Sequence, residues 1–168
     1  MTIKKNDEKV IHMVQAAMIA AVYVALTLPI QPIAYGPIQF RISEALTILP
    51  YFTSAAIPGV TIGCFLSNIL MGAPLPDIIF GTLATLIGTI FSRMLRRQKF
   101  LVCIPPILSN ALIIPWVLKF AYEFEDAVPF MMLTVGAGEV LAAGVLGTML
   151  LLALERCKNM VFGVQSAR

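Results

Sequence analysis

The chain has 168 residues and a mass of 18.3 kDa, with 59% hydrophobic residues, 12% charged residues and a formal net charge of +3. Soluble domains carry about 25% charged residues, and one this small buries only about two-thirds of its chain surface. The composition therefore excludes a cytosolic enzyme, a disordered tail and a nucleic-acid module, and its mean hydropathy of +0.89 points to an all-α membrane protein of one domain, residues 1–168.

Charge-free runs locate the spans, because a helix needs about 20 apolar residues to cross the hydrocarbon core. The first run, 10–40, holds one helix over about 11–29, ending near Pro29 and Pro32. Its apolar stretch is too long for a cleavable signal, and no small-residue cleavage site clearly ends it. The second run, 45–76, carries Pro58-Gly59 in its middle, which reads as a turn between two short spans or a re-entrant pair. Residues 78–97, 101–120 and 128–154 fit one helix each.

Ten of the twelve basic residues fall in three clusters: Lys4, Lys5 and Lys9; Arg93, Arg96, Arg97 and Lys99; and Arg156, Lys158 and Arg168. Cytoplasmic loops attract Lys and Arg. The clusters share one side only if the 45–76 run returns to its starting side. The expectation is six transmembrane helices with both termini cytoplasmic, flanked by tails at 1–10 and 156–168. Arg41, Lys119 and six acidic residues then lie in the membrane or outside; this acidic balance either favours a cation or a ligand with a cationic arm, or reflects only that acidic residues do little for topology and lie where basic ones are excluded.

Catalytic motifs are missing. There is no phosphate-binding G-x-x-x-x-G-K-[ST], no G-x-S-x-G and no H-E-x-x-H, and His12 is the one histidine. Cys64, Cys103 and Cys157 stand too far apart for a zinc motif. No enzyme, metal or cofactor is expected in this chain, so uphill transport would draw on an ion gradient or on a partner that hydrolyses ATP.

In the first helix Ala17, Ala21 and Ala25 repeat every four residues, with Ala16 and Ala20 beside them. Small residues at this spacing let two helices approach closely in lipid. The stripe serves either the protein's own bundle or a second subunit. Polar residues at membrane depth face a cavity or a partner. Glu139, in Gly136-Ala137-Gly138-Glu139, is the clearest case. Gln39, Phe40, Arg41 and Glu44 lie in a loop segment too apolar for a solvated linker; Ser43 and Glu44 also suit a helix start. Asp77 opens a helix after Pro74-Leu75-Pro76 and suits an N-cap. Asn68 and Asn110 sit inside spans. Trp116, near Tyr122, belongs either to an aromatic belt or against a flat ligand.

Gly36-Pro37-Ile38-Gln39-Phe40-Arg41-Ile42-Ser43-Glu44, then Ala56-Ile57-Pro58-Gly59, then Asp77-Ile78-Ile79-Phe80-Gly81, then Pro105-Pro106 to Asn110, and finally Gly136-Ala137-Gly138-Glu139 resemble the QueT family over about 15–155. QueT proteins are substrate-binding S components of energy-coupling factor (ECF) transporters. The resemblance implies the six-helix S-component fold in a prokaryotic cell membrane. It also implies a complex with a transmembrane coupling (T) component and two ATP-binding subunits, and a queuosine precursor of the 7-cyano- or 7-aminomethyl-7-deazaguanine type as substrate. On that resemblance Glu139 is expected at the purine edge and Asp77 or Glu44 at the amine. Arg41, Gln39, Asn68 or Asn110 would take the polar atoms, Trp116 or Phe40 the flat face, and Ala17, Ala21 and Ala25 the coupling subunit. The rival expectation is a small ion-coupled carrier in which Glu139 and Asp77 relay protons.

Overall fold

Lys5 to Thr27 are rich in alanine and free of proline and glycine, and in the computed structural model, which describes residues 5–30 and 40–161, they form helix α1. A turn of 3₁₀ helix follows and contains Pro29. The chain next crosses the bundle as an unusually long 3₁₀ helix, Ile42–Tyr51, buried from Ser43 through Pro50. Runs of this kind seldom exceed 3–4 residues, and at about 2.0 Å per residue this one extends about 20 Å. It is succeeded by α2 (Ala56–Leu70), α3 (Leu75–Met94), α4 (Ile104–Ala121) and α5 (Val128–Glu139). A π-helical segment, Val140–Leu146, joins α5 to α6 (Gly147–Val161).

Among the described residues four helical stretches are long and apolar enough to cross a membrane: Asp7–Thr27, Leu75–Met94, Lys99–Ala121 and Val128–Cys157. The 45–76 stretch is broken, as its length requires, but the break differs from the expected one. It lies at Phe52–Ala55, and Pro58-Gly59 sits inside the first turn of α2. Proline is harmless there because a first-turn N–H has no helical acceptor to lose. The stop comes instead from Pro50 and the turn that follows. Asp77 is likewise not an N-cap: Pro74 holds that position, and Asp77 lies within the first turn of α3. The turn between α2 and α3 needs Gly72, whose φ of +69° is left-handed.

Side-chain contacts fix the direction in which the elements pack. His12 Nε2 meets Ser54 Oγ at 3.0 Å, Arg93 Nη1 donates to Pro50 O at 2.8 Å, and Lys99 pairs with Glu155 at 2.9 Å. One end of the bundle thus gathers the start of α1, the far end of the 3₁₀ helix, and the basic ends of α3 and α6. At the other end Thr27 Oγ1 lies 2.7 Å from Ser43 Oγ, and Tyr122 Oη donates to Asp77 Oδ2 at 2.8 Å. Met18, Val22, Ile79, Leu83, Leu112 and Met149 are exposed around the outside, as a lipid-facing surface requires.

Glycine sets the closest helix contact. A Cβ added at Gly63 would lie 2.6 Å from Tyr23 Cβ and 3.1 Å from Ala20 O, and one at Gly59 would lie 2.8 Å from Ala16 O. Ala16 and Ala20 are buried against these glycines. Gly63→Ala is therefore expected to push α1 off α2 and cost about 1–3 kcal/mol. A lowered thermal midpoint of the purified protein in detergent checks this; an unchanged midpoint would show that the contact yields.

Candidate binding site

Six elements deliver polar side chains to one buried place. Glu44 lies in the first turn of the 3₁₀ helix, and Arg41 immediately precedes that helix with an extended backbone. Arg41 is 5% exposed and Glu44 1%. The Arg41 guanidinium lies 3.8 Å from Asp77 Oδ2 and donates to Asn68 Oδ1 at 3.5 Å. Asp77, in the first turn of α3, benefits from the positive end of that helix. Asn68, near the end of α2, donates to the Asp77 backbone carbonyl at 3.3 Å. From α4, Asn110 donates to Glu139 Oε1 at 2.8 Å. Tyr23 of α1 donates to Glu44 Oε1 at 2.5 Å.

The charge balance of this cluster is uneven. Glu44, Asp77 and Glu139 are all buried, and the basic side chain among them is Arg41. Each carboxyl has one buried oxygen without a hydrogen-bond partner: Glu44 Oε2, Asp77 Oδ1 and Glu139 Oε2. Buried acceptors left open are costly and rare. Three of them within one cluster make a place that takes donors, and the surplus of acid groups favours a donor that carries positive charge. No group of His, Cys, Asp and Glu suited to a metal ion occurs among the described residues.

The structure brings Arg41, Glu44, Asn68, Asp77, Asn110 and Glu139 together. Phe40 is half-buried next to Arg41, and Gln39 lies outside the described residues. Trp116 goes elsewhere. It is 49% exposed, stacks on Phe120 with centroids 6.2 Å apart, and lines an outer groove with Phe80, Leu83 and Leu112. That is the position of an interface aromatic. The aromatic residues that touch the carboxylates are Tyr23 and Tyr122, which sequence reasoning passed over. A tyrosine in an apolar helix needs a partner for its hydroxyl, and that is the signal that would have found them.

The alanine stripe divides. Ala16 and Ala20 are consumed in the contact with α2, whereas Ala17, Ala21 and Ala25 are exposed. They line a groove of about 750 Å³ whose other wall is Ile62, Leu66 and Leu70 of α2.

Comparison with known proteins adds three findings. The family described as QueT transporter matches residues 13–156. A relative from Lactococcus lactis subsp. cremoris (strain MG1363), described as queuosine precursor transporter QueT, is 44% identical over 84 residues, or 49% of each chain. The match spans about half the length of that relative. No solved structure matches the chain.

Proposed function

Because this chain belongs to the QueT transporter family, a family of transporters and not of enzymes, we propose that it is the substrate-binding S component of an ECF-type importer for a 7-deazaguanine queuosine precursor. The observation that carries the reading is the buried set of Glu44, Asp77 and Glu139 around Arg41, with Asn68 and Asn110 beside them. A guanine-like edge presents adjacent N–H donors that one carboxylate accepts together, and Glu139 is assigned to it. The ring carbonyl is an acceptor and suits Arg41 or an asparagine amide. An aminomethyl arm brings a cation, which once desolvated needs a carboxylate of its own, Asp77 or Glu44.

In this reading the chain crosses the cell membrane six times, the 3₁₀ helix and α2 serving as the two short crossings. Both termini are cytoplasmic, on the side of the basic residues Arg93–Lys99. The site opens outward. The groove at Ala17, Ala21 and Ala25 receives the coupling subunit, two ATP-binding subunits supply the energy, and the chain topples on docking to release its load inward.

Binding to the purified protein tests the substrate. The aminomethyl precursor is expected to bind at least about tenfold more tightly than guanine, since one ion pair formed away from water exceeds about 1.4 kcal/mol. Equal affinity for guanine, or no binding of either precursor, would sink the reading. The open carboxylate oxygens also suit an ion-coupled carrier. Uptake that collapses with the proton gradient, in a preparation without ATPase partners, would favour that alternative.

A further inference from the structure

Tyr23 is fully buried in α1 and belongs to the apolar cluster that includes Val60, Cys64 and Leu46. Its ring is held by the close approach of Gly63, where an added Cβ would stand 2.6 Å from Tyr23 Cβ and 2.9 Å from Cγ. A phenylalanine fills that space equally well. The hydroxyl is therefore not needed for packing, and burying it without a partner is costly. It donates to Glu44 Oε1, which leaves Glu44 Oε2 as the open acceptor of that carboxylate. One turn further along the same helix face, Thr27 bonds Ser43, the residue before Glu44. Helix α1 thus holds two successive residues of the 3₁₀ helix.

We propose that Tyr23 is a positioning residue: its hydroxyl fixes the Glu44 carboxylate so that the open oxygen meets the ligand, and the affinity of the site depends on where α1 stands. Tyr23 acts through Glu44 and need not touch the ligand. The inference rests on the proposed reading of the cluster as the ligand site.

A double-substitution cycle tests it, with 7-aminomethyl-7-deazaguanine as the probe and the full chain in detergent. Tyr23→Phe in the otherwise unchanged protein is expected to weaken binding about tenfold, the scale of one hydrogen bond to a charged group. The same substitution in a Glu44→Ala background is expected to change affinity less than about twofold, because the carboxylate it positions is gone. If Glu44→Ala does not fold, Glu44→Leu serves, since a side chain of similar size offers the Tyr23 hydroxyl no acceptor. In the assembled transporter Tyr23→Phe should raise the substrate concentration for half-maximal uptake and leave the maximal rate unchanged, a split that a general loss of stability would not produce. Equal weakening in both backgrounds overturns the inference and leaves the ligand site standing. Absence of probe binding by the unsubstituted protein removes both together.

Discussion

Glu139→Gln is expected to weaken ligand binding about a hundredfold while leaving the protein folded. The substitution keeps the length of the side chain and an oxygen for Asn110, whose 2.8 Å bond is the contact Glu139 makes within the protein. What it removes is charge and one of two acceptors. A carboxylate that receives adjacent N–H donors holds them by two charge-assisted bonds; an amide accepts one and opposes the other with its own N–H. Losing one such bond and leaving a ligand donor unsatisfied amounts to about 2–3 kcal/mol. Titration calorimetry on the purified protein reads the change, and a thermal melt without ligand provides the control. Unchanged affinity would remove Glu139 from the site.

A bulky side chain at Ala21 is expected to act in the opposite way. Ala21→Leu should reduce uptake in cells to background, while the solitary protein binds ligand with an affinity within about twofold of the original. Ala21 is exposed on the outer face of α1, away from Tyr23, so the larger side chain meets nothing inside the molecule. It does fill a groove whose shallow floor is made of methyl groups. Small-residue faces gain their affinity from backbone approach within van der Waals range, and a single large residue holds the partner off. Parallel measurement of uptake and ligand binding separates the outcomes: loss of both would mean misfolding, and retention of both would mean that nothing docks there.

Much of the architecture was legible because lipid imposes simple rules. Long charge-free runs predict helices, and α1, α3, α4 and the α5–α6 rod fall where those runs lie. The 45–76 stretch was harder. Proline-glycine reads as a turn, yet Pro58 is tolerated at the start of a helix and Gly59 is there to let α1 approach, so the pair marks a contact and not a reversal. Nothing in the periodicity announces that Ile42–Tyr51 adopts a 3₁₀ helix, buried from Ser43 through Pro50. In the site, the charged and amide residues were legible because burial in lipid is too costly to be accidental. For Asp77 the sequence leaves an N-cap and a buried ligand-facing carboxylate open, since the two look alike in a single sequence; Pro74 takes the cap and Asp77 is buried. For Trp116 the sequence leaves an aromatic belt and a flat ligand both open, and the orientation of its helix, which turns the ring outward, favours the belt.

The π-helical segment has a geometric consequence for the last rod. Met131, Val135, Glu139, Ala143, Gly147 and Leu151 recur every fourth residue, and all are buried. In an uninterrupted α-helix of 3.6 residues per turn each such step drifts by roughly 40°, so the first and last of these six would lie on opposite sides. Turns wider than four residues at Val140–Leu146 run that drift backwards. The rod thereby keeps a single seam against its neighbours. Glu139 faces Asn110 at one level and Leu151 enters the core at another, without a bend in the axis having to be invoked. The wide turn acts as a phase corrector, a local unwinding that aligns two levels of the molecule which a regular helix would have set at odds.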